Sequence, residues 1–207
     1  MSRSILLLLV GIQSILVAQE INHVTANTPK DIQIQVLKSA APRAVSDNAD
    51  LYILTNHGYE LAVKGTNGFS CLIEREMTST MEPECYDAEG TKTTLQVRLF
   101  IEKQRALRVA ETQIEQSVKE GYRSGEFRAP SKPGIVYMLS KSNYVFDPQA
   151  KAVIHFPGHL MFYAPYATEK TIGSGKGAPY IVHPGEPDAV MVVVPAGETE
   201  AATPSPK

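Results

Sequence analysis

The chain has 207 residues, 43% of them hydrophobic and 20% charged, and its 20 basic and 22 acidic side chains give a formal charge of −2. That composition supports one ordinary globular core and excludes a disordered polymer, while the charge balance supplies no basic patch for nucleic acid or an anionic membrane surface. Fourteen Pro, fourteen Gly and no Trp, spread among many short apolar runs, favour a loop-rich mixed fold over a helix bundle.

Residues 1–18 place Arg3 ahead of an apolar stretch and end on the small residue Ala18, the pattern of a signal peptide. Cleavage after Ala18 removes only Arg3 among the charged residues, so the net charge goes from −2 to −3. A retained membrane anchor is the alternative, but Gln13 and Ser14 interrupt a stretch already shorter than the roughly 20 apolar residues that span a bilayer. The expected location is therefore outside the cytoplasm, periplasmic or extracellular, with membrane contact only if this segment stays attached. Residues 19–29 have little periodicity and are expected to be a linker.

A single α+β domain is expected over residues 30–195. Ile32, Ile34, Val36 and Leu37 alternate at first and then break, which favours a strand at 32–37 over a helix. Leu51, Tyr52, Ile53 and Leu54 form a short strand stopped by Asn56, His57 and Gly58. Two alternating runs then flank Asn67-Gly68: Tyr59, Leu61 and Val63 before it, Phe69, Cys71 and Ile73 after it. Asn-Gly tolerates the positive φ of a hairpin turn, so these runs are expected to pair with each other through a two- or four-residue loop. Residues 77–90, rich in turn formers around Pro83 and Gly90, are expected to be a surface loop.

Leu95, Leu99, Leu107, Ala110, Ile114, Val118 and Tyr122 follow three- and four-residue spacing and predict two helices broken near Ala110. Thr112 and Glu115 have capping-box spacing for the second, and Gly121 or Gly125 can end it. From residue 129 the pattern is β again, with short apolar runs at 135–139, 144–146, 152–156, 160–163, 180–182 and 190–194. Residues 196–207 offer almost nothing to bury and are expected to be a mobile tail. The implied architecture is an antiparallel or mixed sheet with the helix pair packed on one face.

Two cysteines, Cys71 and Cys85, in a chain expected to leave the cytoplasm fit one disulfide. Closing so short a loop restricts the unfolded chain by roughly 3 kcal/mol. The competing chemistry is a Cys71 nucleophile assisted by His57, His155, His159 or His183.

Polar and aromatic side chains are densest at residues 155–166. There His155, His159, Tyr163 and Tyr166 are the candidate ligand-binding residues, beside a glycine-rich loop at 173–177. His155 and His159 with His183 are the candidate metal ligands, although Pro157-Gly158 prevents the one-face helical geometry that i, i+4 histidines use. The glycine-rich loop fails as a phosphate loop, because Lys170 stands where its first glycine belongs and Gly177 where the Ser or Thr belongs. No cofactor motif is complete, and no Ser sits in a Gly-x-Ser-x-Gly elbow.

Residues 65–72 (GTNGFSCL), 85–90 (CYDAEG) and 159–166 (HLMFYAPY) resemble those of a group of uncharacterised exported bacterial proteins. The resemblance implies a bacterial, extracytoplasmic setting and brings no activity, cofactor or catalytic residue. The functional expectation is an exported, non-enzymatic domain that binds a small ligand or an envelope protein. The alternative is a hydrolase, assisted by a metal or dependent on a thiol.

Overall fold

A disulfide joins Cys71 to Cys85 across two neighbouring strands, and the rest of the fold is arranged about that pair. The computed structural model describes residues 24–75, 80–147, 149, 151–173 and 179–195. The expected signal peptide, the tail, the start of the linker and most of the glycine-rich loop lie outside the described residues. Among those described, no helix is long and apolar enough to cross a membrane.

The expected α+β class is observed. Among the described residues ten strands form two sheets, a main one of eight strands and a separate pair. In chain order the strands are β1 Asp50–Thr55, β2 Gly58–Val63, β3 Ser70–Glu74, β4 Glu82–Tyr86, β5 Ile135–Met138, β6 Tyr144–Asp147, β7 Ala152–His155, β8 His159–Tyr163, β9 Tyr180–Val182 and β10 Val190–Val193. The main sheet runs β2-β1-β3-β4-β5-β8-β10-β9 and is antiparallel throughout except where β1 meets β3. The helices of the described residues are α1 Lys30–Lys38, α2 Arg43–Ser46, α3 Ala88–Lys92, α4 Thr94–Ala106, α5 Glu111–Ser124 and α6 Glu169–Ile172.

The strand expected at 32–37 is instead helix α1. Pro29 presets its first turn, Asp31 and Lys38 sit at the ends where their charges oppose the helix dipole, and Gln33, Val36 and Leu37 face inward at helical spacing. Gln33 conceals that spacing because it is polar. Its amide accepts from the Leu54 amide at 2.8 Å and donates to the Leu54 carbonyl at 3.1 Å, which satisfies its burial. Val24, in the expected linker, is also buried in this core.

The expected hairpin about Asn67-Gly68 does not form. β2 returns along β1 through Asn56 and His57, with Gly58 at φ 101°, and residues 64–69 then cross β1 so that β3 pairs with it in parallel. The crossing is fixed by hydrogen bonds to the Asn48 carbonyl from the amides of Thr66 (2.8 Å) and Asn67 (3.2 Å), and to Asp50 Oδ1 from the Gly65 amide (2.6 Å). A Cβ on Gly65 would lie 2.3 Å from the Ala49 backbone, so no other residue fits there.

The expected surface loop is also corrected: residues 82–86 are β4, buried along its whole length in mid-sheet. Pro83 is tolerated because β5 pairs only with Cys85 and Tyr86, which leaves the Pro83 nitrogen outside the ladder. The two long helices break where expected. Ala110, not Thr112, is the N-cap of α5, with no side-chain cap, and Leu107 of the expected stripe is exposed at the α4 terminus. Gly125, at φ 84°, ends α5.

Period-two alternation sends the two faces of the sheet to different cores. Cys71, Ile73 and Cys85 pack with Leu51 against Val36 and Leu37 of α1. Leu72, Tyr86, Val136, Met161, Val190 and Val192 pack with Leu95 of α4 on the other face, where α4 and α5 form the expected helix pair. Full burial of each such aliphatic side chain contributes roughly 1.5–3 kcal/mol. Because the disulfide clamps the two strands shared by both cores, replacing both cysteines by alanine is expected to lower stability by about 3 kcal/mol. Denaturant unfolding of oxidised wild type against the double variant checks this, and equal stabilities would contradict it.

Candidate functional site

With Cys71 and Cys85 on the α1 side, their strand neighbours must face α4. The register sets Glu74 opposite Glu82, Leu72 opposite Glu84 and Ser70 opposite Tyr86, so three glutamates and a tyrosine project from one face. All three glutamates are buried, Glu84 at 4% exposure. The α4 residues Thr94, Arg98 and Glu102, spaced four apart, come down on that face from one side of the helix.

Arg98 Nε lies 2.6 Å from Glu74 Oε1, and its Nη2 lies 3.8 Å from Asp188 Oδ2. Asp188 in turn meets His183 Nδ1 at 3.1 Å. Burial works against the Arg98 charge, but the carboxylates of Glu74 and Asp188 outweigh it and hold the guanidinium protonated. The Asp188 hydrogen bond raises His183 above its usual value. Burial pushes Asp188 up, yet the His183 hydrogen bond and the Arg98 charge together hold it low.

This chain of charges is the wall between two cavities: Glu74, Arg98, His183 and Asp188 line both. The larger, about 720 Å³, lies between α4, α5 and the 183–188 turn, with Tyr59, Tyr122 and Tyr166 among its lining. Its lining includes an ion-pair network in which Glu102 bridges Arg75 at 2.5 Å and Arg105 at 2.7 Å, while Arg105 also reaches Glu111 at 2.9 Å.

The smaller cavity, about 270 Å³, runs along the sheet face. Val136, Met138, Met161, Val182, Val190 and Phe156 make its apolar wall, and Glu82, Glu84, Tyr86 and Thr94 make its polar end. Tyr86 donates its phenolic proton to Glu84, and its oxygen is 3.3 Å from Glu74 Oε2. Burial, reinforced by the Glu74 charge, pushes the Glu84 carboxyl well above the usual carboxylate range against the opposing pull of Arg98 and Tyr86. Thr94 is 4% exposed, and its Oγ1 has no hydrogen-bond partner among the described residues.

The sequence-derived candidates are distributed differently from this cluster. His159 opens β8 in the wall of the smaller cavity, 5% exposed. Its Nδ1 is 3.0 Å from the Pro157 carbonyl and so carries the proton, and burial lowers its pKa, which keeps the ring neutral. Tyr163 is half-buried and serves the fold: its hydroxyl donates to Asp87 Oδ1 at 3.2 Å, and Gly90 and Gly134 leave room for its ring. Asp87 also caps α3 through the amides of Glu89 and Gly90. Tyr166, 62% exposed and at φ 62°, stands at the larger cavity. His155 is exposed on β7 beside the Tyr144 ring, and His57 is exposed in the β1–β2 turn.

Among the described residues no group of three His, Cys, Asp or Glu converges to hold a metal. Both cysteines are in the disulfide and none is free, so the Cys71 nucleophile is excluded. The residues missed from sequence are Glu74, Glu84, Tyr86, Thr94, Arg98 and Asp188. The signal for two of them, Glu84 and Tyr86, was present in the alternation Glu82-x-Glu84-x-Tyr86 about a bonded Cys85.

No protein-family model, curated protein or solved structure matches the chain. The likeness of residues 65–72, 85–90 and 159–166 to uncharacterised exported proteins therefore carries no weight beyond the residues themselves.

A raised Glu84 pKa fixes the sign of a pH effect. The folded protein keeps a proton that the unfolded chain releases above about pH 4.5. The contribution of this group to stability is thus complete below that value and is lost as pH climbs toward the folded pKa. Glu84→Gln, which has no proton to lose, is expected to melt a few degrees above wild type at neutral pH and level with it below pH ~4. Thermal melts across that range check this, and a variant less stable than wild type at neutral pH would contradict it.

Proposed function

We propose that this chain is an exported, non-catalytic binding domain that takes a small, largely apolar ligand into the cavity between the sheet face and the start of α4. The observation that carries the reading is the make-up of that cavity: an apolar wall from β5, β8, β9 and β10 that ends in a few buried polar groups. Small-molecule sites have this form, with apolar lining for affinity and a small number of placed polar groups for orientation. The volume of about 270 Å³ lies near the lower limit of such sites and suits a compact ligand. Export is supported by the disulfide, which persists in oxidising compartments, and by the signal-peptide pattern of residues 1–18.

The chain has no tryptophan, so indole is a probe with its own fluorescence. Indole added to the oxidised protein is expected to bind at one saturable site with a blue-shifted emission. Val182→Phe, which fills the smaller cavity, is expected to abolish the signal, while Tyr166→Ala, at the larger cavity, leaves it unchanged. A response that survives Val182→Phe would place binding elsewhere and refute the assignment.

A further inference from the structure

The polar end of the smaller cavity holds more acid than base. Among the described residues three of its carboxyl groups, Glu74, Glu84 and Asp188, face one guanidinium, Arg98, and one imidazole that pairs with Asp188, His183. His159, the other imidazole in the wall, is kept neutral by burial. Arg98 is already placed on Glu74 and near Asp188, on the side of the wall shared with the larger cavity. Glu84 has Tyr86 as its hydrogen-bond donor and lines the cavity that Val136, Met161 and Val190 also line. A carboxyl group buried in this way destabilises the fold unless a cation reaches it.

An independent observation concerns Thr94. Its hydroxyl sits in the same cavity wall, is more than nine-tenths buried, and lacks a partner among the described residues. A buried hydroxyl left unpaired costs about 1–3 kcal/mol, and so an orphan in the wall that the carboxyls share marks a position where a donor from outside is wanted. The group that supplies both needs is a primary ammonium. It carries three N–H donors on one compact cation, enough for the Glu84 carboxylate and the Thr94 oxygen together.

We propose that the polar end of this cavity receives a primary ammonium group borne on a small apolar or aromatic body, with Glu84 as the ion-pair partner and Thr94 as the neutral acceptor. The proposal rests on the reading of the cavity as a ligand site and adds the chemical class of the ligand. The body lies against Val136, Met161 and Val190 while the ammonium meets the acids. Glu84 loses its proton to solvent as the ammonium arrives, so binding releases one proton. His183, also in the wall, loses positive charge as pH rises and acts in the same direction, which is why a Glu84 variant is needed to isolate the Glu84 share.

Three indole compounds of one shape separate the outcomes: tryptamine is a cation, tryptophol is neutral and indole-3-acetate is an anion. Fluorescence titration of the oxidised protein is expected to rank them in that order, with tryptamine at least about tenfold tighter than tryptophol. Tryptamine stays charged below pH ~10, and its affinity is expected to rise with pH, by up to about tenfold per unit while Glu84 holds its proton. Glu84→Gln is expected to abolish the preference and flatten the pH dependence while tryptophol still binds. Thr94→Val is expected to weaken tryptamine more than tryptophol. Equal affinity for tryptamine and tryptophol, or a preference for indole-3-acetate, would overturn the ammonium proposal and leave the cavity as a site of another specificity. No binding of any of the three would overturn the proposed function and this inference together.

Discussion

The sulfur bridge between β3 and β4 sets which side chains face which way, and the candidate site follows from that constraint. Successive side chains on a strand alternate, so with Cys71 and Cys85 held on the α1 face a one-residue slip is forbidden. Leu72, Glu74, Glu82, Glu84 and Tyr86 are then committed to the face that α4 covers. A slip would carry Leu72 and the glutamates to the face that packs on α1, and would put acids into its apolar core. The bond thus enforces an arrangement that simple hydropathy would reject.

What makes burial of three glutamates tolerable is how unequally they are compensated. Glu74 has the guanidinium of Arg98, which Asp188 also approaches, and Asp188 has His183. Glu84 has a phenol and a neighbouring negative charge, and it avoids the cost of ionisation by keeping its proton. Groups that lower stability and persist in a cavity wall are characteristic of binding sites, where a partner supplies the missing interaction. The neighbouring network of Glu102, Arg75, Arg105 and Glu111 shows the contrasting case, with each acid matched by a base and the helix pair tied to the end of β3.

Much of the architecture was legible in the sequence because local periodicity and tertiary packing agreed. The strands after residue 129, the two long helices and the disulfide pair all follow from short-range patterns. The failures came where a polar side chain was buried. Gln33 broke the helical stripe of α1 while serving the β1 backbone, and the Glu82-Pro83-Glu84 segment looked like solvent-exposed turn while lying in the middle of the sheet. Asn67-Gly68 was a sound local turn signal overruled by the contacts of Gly65 and Thr66 with Asn48 and Asp50, which are visible only in three dimensions. Of the candidate site, His159 and His183 were found because histidine draws attention in any reading. The acids were missed because their function depends on burial, and burial followed from a register the sequence does not print.

The account stands on Glu84 remaining an uncharged acid inside the folded, ligand-free protein. Carbon-13 NMR of protein labelled at the glutamate carboxyls observes this directly, with Glu84→Gln identifying the resonance. The prediction is a Glu84 carboxyl signal that keeps the acid form well above the usual carboxylate range. A Glu84 signal that ionises within the usual carboxylate range would contradict this.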